Sequence, residues 1–329
     1  MRIFITGGAG FLGSHLAERL VALGHDALVL DDLSTGQMAN LVGLVGHGRF
    51  AYRIGSVIDQ PLVAELVDLA DVTVHLAAAV GVRLIVERPV HTIETNVHGT
   101  EVVLACAAKK GKRVIIASTS EVYGKGTKIP FSEEDDLTLG ATHHSRWAYA
   151  CSKALDEWLA LAYWRERRVP VTICRFFNTV GPRQTGRYGM VLPTLTAQAL
   201  RGEPITVFGS GEQTRCFAHV ADVIECIARL MVTPAAIGQV FNIGTAHEVT
   251  INRLAEMIRD LAKSVSPIVR IPYDEAYAEG FEDMQRRVPD CSKLSRTIGF
   301  TPTTPLEAII ADVIADQRSR LDRATEGCE

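Results

Sequence analysis

The chain has 329 residues, with 34 Lys and Arg against 38 Asp and Glu, a formal charge of −4. That is too close to neutral for a nucleic-acid or anionic-membrane footprint. At 47% hydrophobic and 22% charged residues the composition is that of a globular protein with a sizeable core, which excludes disorder, collagen-like sequence and acidic tails and leaves room for one large or two ordinary domains. The seven cysteines form no C-x-x-C pair and no Cys/His cluster at ligand spacing, so reduced thiols and no metal site are expected. The start of the chain lacks the long apolar run of a signal peptide, which predicts a cytoplasmic protein.

In chain order, short apolar runs predict strands at Arg2 to Thr6, Ala27 to Leu30, Phe50 to Ile54, Val72 to Leu76, Arg113 to Ser118 and Val171 to Arg175. Amphipathic stretches between them predict helices near Leu12 to Leu23, Gln60 to Leu69, Pro89 to Lys109 and Ser145 to Arg168. Strands alternating with helices in this way build a parallel α/β sheet. After Asn178 the texture becomes loop-rich, with glycines at 181, 186, 189, 202, 209 and 211 and helices near Val220 to Met231, Ile251 to Lys263 and Leu306 to Leu321. A smaller, interleaved region is expected there.

Gly8-Ala9-Gly10-Phe11-Leu12-Gly13 matches G-x-G-x-x-G between the first strand and the first helix, the context a dinucleotide-binding turn requires. Glycines let backbone N–H groups approach a pyrophosphate, and the positive end of the following helix favours its charge. Asp31, ending the second strand, suits the adenosine ribose hydroxyls and would repel a 2′-phosphate, which predicts NAD over NADP. Asp31 and Asp32 also suit the start of a turn into Ser34-Thr35-Gly36, and Asp59 reads first as a helix cap and second as an adenine contact.

Tyr149 and Lys153 lie one turn apart on one face of a predicted helix. A tyrosine ordinarily titrates near pH 10; a neighbouring ammonium and a positively charged nicotinamide favour its phenolate, making a base usable near neutrality. Thr119, in Ser118-Thr119-Ser120 at the end of the fifth strand, faces the cofactor crevice of a doubly wound sheet and can hydrogen-bond the oxygen that Tyr149 deprotonates.

With His75-Leu76-Ala77-Ala78, Thr95-Asn96-Val97, Ser120-Glu121-Val122-Tyr123-Gly124, Arg175 to Pro182, Gly209 to Arg215 and Arg286 to Asp290, these stretches resemble the extended short-chain dehydrogenase/reductase family, in its NAD-dependent nucleotide-sugar epimerase, dehydratase and decarboxylase branch. The resemblance implies a Rossmann-type doubly wound parallel sheet over residues 1–178, with some later segments returning to it, and a nucleotide-sugar-binding region mainly over 179–329. It implies NAD held by Gly7, Gly10, Phe11, Leu12, Gly13, Asp31, Asp32, Ser34, Thr35, Gly36, Ser56, Val57, Leu76, Ala77, Ala78, Asn96, Tyr149 and Lys153. It further implies a UDP-sugar held by Asn178, Val191, Phe208, Arg215 and Arg287, and a homodimer through the helices at Pro89 to Lys109 and Ser145 to Arg168. The pair Arg286-Arg287 leaves open which arginine does the holding, the other being a surface charge.

The family's reactions share a 4-keto sugar, made as Tyr149 takes the C4 hydroxyl proton. Glu121 resembles the glutamate that stands near C5 in decarboxylases; it equally suits a loop-ordering role. Ser120 stands where many 4,6-dehydratases carry an aspartic acid, which argues against dehydration. Ala150-Cys151-Ser152 between Tyr149 and Lys153 departs from the Asp-Glu-Gly usual in the decarboxylases. The expectation is therefore a UDP-sugar 4-epimerase, with a UDP-glucuronate decarboxylase as the alternative and a non-catalytic NAD sensor as the reading from another class. His143, His144, Arg146, Arg183, Arg187 and Tyr188 read either as flanking the sugar, with Arg183 or Arg187 on a hexuronate carboxylate, or, more commonly for such residues, as solvated loop charges.

Overall fold

A computed structural model describes residues 1–80, 88–144, 147–186, 190–272 and 286–326. The N-terminal part runs β1 (Arg2–Thr6), α1 (Phe11–Ala22), β2 (Asp26–Asp31), β3 (Phe50–Ile54), α2 (Gln60–Leu69), β4 (Val72–His75), α3 (Pro89–Lys110), β5 (Arg113–Thr119), α4 (Trp147–Arg167) and β6 (Val171–Phe176). Then follow β7 (Thr179–Val180), α5 (Val191–Arg201), β8 (Ile205–Phe208), β9 (Thr214–Cys216), β10 (Ala218–His219), α6 (Val220–Val232) and β11 (Gln239–Ile243). The chain closes with β12 (Glu248–Thr250), α7 (Ile251–Ala262), β13 (Ile268–Ile271), α8 (Ser292–Ile298) and α9 (Leu306–Glu326).

Seven strands form one sheet in the order β11-β6-β5-β4-β1-β2-β3, and every pair in it is parallel. Parallel strands covered on both faces read as continuous apolar runs, as Ile3-Phe4-Ile5 does, and are buried throughout, as Val72–His75 is. On one face Leu16 and Leu20 of α1 and Val223, Ile224 and Ile227 of α6 pack on Ile3, Ile5, Val29 and Val74. On the other, Val63 and Leu66 of α2, Val103 and Ala107 of α3 and Ala160 of α4 pack on Phe4, Val114, Ile116 and Ile173. Each such Leu, Ile or Val contributes about 1.5–3 kcal/mol by leaving water. The fold is thus a Rossmann-like doubly wound sheet.

Two later elements are not placed from the sequence. β11 lies in the sheet beside β6, at a position no predicted strand marks, and α5 stands in a region read as loops. Leu192, Leu195, Thr196 and Ala199 bury one face of α5, and Gly202, left-handed at φ +71°, ends it. α5, α7 and α9 enclose a second core of Leu192, Leu195, Leu254, Ile258, Ile309 and Ile310, with the two-stranded pairs β8–β13, β9–β12 and β7–β10 around it. Asp59 caps α2, accepting from the Leu62 N–H at 3.2 Å. Among the described residues no helix is long and apolar enough to cross a membrane.

The strand order reverses between β1 and β4, so the loops leaving their carboxyl ends diverge to opposite faces and open a crevice. Everything below lies in or against that crevice.

Candidate active site

A cleft of about 960 Å³ sits there, at the top of the roughly 300–1,000 Å³ usual for ligand sites. Its first wall is the glycine turn. Gly7 is left-handed at φ +70°, and a Cβ on it would lie 2.8 Å from the Ala77 nitrogen. At Gly13 a Cβ would come within 2.2 Å of the Gly7 carbonyl oxygen, so this spacing is required for α1 to pack on the turn. Gly10, the residue before α1, offers no side-chain cap, which leaves the helix's first N–H groups for a ligand.

Asp31 is tied into this turn: Oδ2 accepts from the Ala9 N–H at 2.9 Å and Oδ1 from the Leu33 N–H at 2.8 Å. Burial holds its carboxyl above the ordinary aspartate value, against the pull of these N–H donors. Asp32 both lines the cleft and accepts from the Ser34 N–H at 3.0 Å, so its two readings coexist.

Of the expected dinucleotide residues, Gly7, Gly10, Phe11, Leu12, Gly13, Asp31, Asp32, Ser34, Thr35, Val57, Leu76, Ala77, Ala78, Tyr149 and Lys153 line the cleft. Gly36, Ser56 and Asn96 do not, and each stands behind the wall. A Cβ on Gly36 would fall 2.7 Å from Asp31 Oδ1, so this glycine leaves room for the carboxylate. Ser56 Oγ accepts from the Ile58 N–H at 3.5 Å. Asn96 Oδ1 accepts from the Ala79 N–H at 2.8 Å and its Nδ2 donates to Ser152 Oγ at 3.2 Å, which binds the loop after β4 to α4.

The second wall carries the side chains expected to act in the reaction, Thr119, Tyr149 and Lys153. Thr119 ends β5, and its hydroxyl oxygen accepts from the Glu121 N–H at 3.2 Å, folding Ser120–Tyr123 into a short 3-10 turn. The same hydroxyl hydrogen-bonds Tyr149. Burial, then the negative charges of Glu121 and Asp156, push the Tyr149 phenol above its ordinary value, with the Thr119 bond opposing them. Lys153, expected to act on the tyrosine and a ribose, donates instead to Asp156 Oδ2 at 2.7 Å in the core.

Glu121 is ion-paired with Arg287. The Arg287 guanidinium also reaches Ser120 Oγ at 3.5 Å and Asn178 Oδ1 at 3.4 Å, so residues distant in sequence meet on the turn after β5. Arg286 points away, pairing with Glu248 at 3.0 Å on the exposed side, which separates the two arginines. Val191, Phe208 and Arg215 line the same end of the cleft, and Asn178 is oriented by donating to the Cys216 carbonyl at 3.0 Å.

Arg183 is a correction. Its guanidinium is held by Glu18 at 2.6 Å and its backbone N–H by Asp316, so it does not face the cleft. His143 and His144 are likewise absent from the lining, while Arg146, Arg187 and Tyr188 lie outside the described residues. Sequence reasoning passed over Arg88, His91 and Asp156: the first two line the cleft at the start of α3, a position no local pattern marks, whereas the Lys153-x-x-Asp156 spacing was there to be seen.

Residues 3–244 match the description "NAD dependent epimerase/dehydratase family". The chain is 43% identical, over 95% of its length and 96% of the relative's, to a UDP-N-acetyl-alpha-D-glucosaminuronate decarboxylase of Bacillus cytotoxicus. It is 37% identical, over 98% of its length and 90% of the relative's, to UDP-glucuronic acid decarboxylase 6 of Arabidopsis thaliana. Among solved structures, a UDP-glucuronic acid 4-epimerase from Bacillus cereus, in complex with UDP-glucuronic acid and NAD, superposes with a TM-score of 0.87 at 26% identity, covering 97% of this chain and 100% of that one. A glycine turn at the sheet's switch point, a Tyr-x-x-x-Lys helix across the cleft and this breadth of similarity lead to one conclusion: the chain belongs to the NAD dependent epimerase/dehydratase family.

Proposed function

We propose that the protein is an NAD-dependent decarboxylase of UDP-linked hexuronates. The observation that carries this reading is the Glu121–Arg287 pair on the turn between Thr119 and Tyr149, supported by the decarboxylase names of the relatives. The departure at Ala150-Cys151-Ser152, which favoured a 4-epimerase, loses its force in three dimensions. Ala150 is buried, Cys151 is exposed and Ser152 holds Asn96; none of the three lines the cleft.

NAD fits the first wall, where Gly7 and Gly13 leave the space that a Cβ would fill and Asp31 offers its carboxylate. When bound, it supplies a hydride acceptor and donor for carbon 4 of the sugar and a positive ring that favours the Tyr149 phenolate. Tyr149 takes the proton of the 4-hydroxyl, and Thr119 holds that oxygen by a hydrogen bond. With carbon 4 a ketone, the carboxylate on carbon 5 is β to a carbonyl; its C–C bond breaks, CO₂ leaves, and the electron pair moves to the oxygen that Thr119 and Tyr149 hold. Arg287 is the cation beside that end of the site, and Glu121 is the group that holds or releases a proton there. Arg215 and Asn178 serve the diphosphate, for which a guanidinium's planar fork is suited.

Incubation with UDP-glucuronate and UDP-N-acetylglucosaminuronate, followed by NMR, should show CO₂ release and a UDP-pentose product. A product epimerised at carbon 4 with its carboxylate retained would overturn the reading in favour of the 4-epimerase. A homodimer is also proposed, since the packed helices α3 and α4 expose Val90, Ile93, Leu155 and Trp158; sedimentation should report the mass of two chains.

A further inference from the structure

Lys153 is expected to act on the tyrosine and the dinucleotide, but the carboxylate it touches carries no such expectation. Lys153 Nζ donates to Asp156 Oδ2 at 2.7 Å, and the two side chains are 2% and 0% exposed. Behind the pair stand Thr100 of α3 and His75 of β4, the Thr100 hydroxyl and His75 Nε2 being hydrogen-bonded at 3.1 Å. His75 is neutral, its pKa pushed down to about 3 by burial and then by Lys153. Nδ1 of the same ring is hydrogen-bonded to the Thr6 hydroxyl at 2.8 Å. Thr6 Oγ1 accepts from the Ala77 N–H at 3.2 Å. A row of hydrogen-bonded, buried side chains therefore leads from the glycine-turn end of β1 through β4 to Thr100 of α3, behind the lysine–aspartate pair.

Packing gives little reason for this carboxylate. A buried ion pair contributes little net stability compared with apolar side chains, and Asp156 Oδ1 is buried with no hydrogen-bond partner among the described residues. An ammonium has three donors. One is taken by Asp156, and the side chain lines the cleft, which leaves two for a ligand.

We propose that Asp156 is a positioning residue, anchoring one proton of the Lys153 ammonium so that the other two face the dinucleotide ribose and Tyr149. The inference rests on the proposed function, in which Tyr149 is the base, and on the expected contact of Lys153 with the dinucleotide. It also has a sign. The charged or titratable groups around the pair are Tyr149 and Glu157 on α4, His75 on β4 and, facing Tyr149 from the turn after β5, Glu121. Glu157 is neutralised by Arg175 at 2.7 Å and His75 carries no charge. The Asp156 anion thus adds to Glu121 in keeping the proton on Tyr149, and removing it eases ionisation.

The test compares Asp156→Asn, which keeps an oxygen for Lys153, with Asp156→Ala, which keeps none, reading NAD affinity by calorimetry and the pH profile of kcat/KM with a UDP-hexuronate. Asp156→Asn should hold NAD within about threefold of the parent and move the ascending limb of kcat/KM about one pH unit toward acid. Asp156→Ala should weaken NAD by about tenfold or more, a loss of a factor in Kd without regard to substrate. An Asn limb that stays put or moves toward alkali, or an Ala variant that binds NAD like the parent, overturns the proposal. Should the Ala variant not fold, the Asn limb decides. If the parent turns over neither hexuronate, the functional reading fails, and the NAD affinities still judge Asp156.

Discussion

At one end of the cleft Gly7, Gly13 and Asp31 come from a single β-α-β unit and act through backbone shape and one carboxylate. At the other end Thr119, Tyr149, Asn178, Arg215 and Arg287 converge from five segments and act through side chains, several already paired with one another. The dinucleotide end is therefore rigid before any ligand arrives, because a turn that cannot accept a Cβ has few alternatives. The sugar end is poised differently: its charges satisfy each other, as Glu121 does Arg287 and Asp156 does Lys153, and a charged substrate must compete for them. Such pairing keeps buried charges compensated.

Substitutions at the two ends should separate binding from chemistry. Tyr149→Phe should lower turnover by about 10³-fold, within the usual contribution of a positioned base, while NAD binds as before; retained turnover would remove Tyr149 from the reaction. At the backbone end, Gly13→Ala forces a Cβ against the Gly7 carbonyl, and NAD affinity should fall by about 100-fold, about 2.7 kcal/mol. Unchanged affinity in a calorimetric titration would show that the turn is softer than its geometry states. Glu121→Gln should reduce CO₂ release by clearly more than the tenfold, about 1.4 kcal/mol of barrier, that a disturbed loop explains, and a smaller loss in a stopped assay would return Glu121 to a loop-ordering role. The least effect belongs to Arg286→Ala, on the exposed side of the segment that carries Arg287 inward: kcat and KM should stay within about twofold, as for an exposed pair. A large loss there would mean that the two arginines had been assigned the wrong way round.

Much of this was legible before any coordinates. β1 through β6 fall within a residue or two of their apolar runs; for all but the exposed edge strand β3 the reason is that strands buried on both faces write that burial into consecutive positions. β11 was not legible: five residues after a short turn become a strand only because β6 offers an unpaired edge. Within the site, the glycine spacing and Tyr149 with Lys153 are local patterns, and both line the cleft. Gly36 and Asn96 belonged to the same patterns yet stand behind the wall, since a motif records proximity along the chain and not which side of a loop faces the ligand. Arg183 was misread for a similar reason. Its charge suited a carboxylate, but Glu18 of α1 lies nearer.

The amino-acid sequence by itself determined the doubly wound sheet, the dinucleotide turn and the tyrosine–lysine pair, all of which arise from interactions within one or two turns or between successive elements. Only the tertiary structure decided which of Arg286 and Arg287 enters the cleft, that residues 150–152 face away from it, and that Lys153 rests on Asp156. Those outcomes depend on side chains packing from distant segments, a balance of burial and charge that no spacing along the chain encodes.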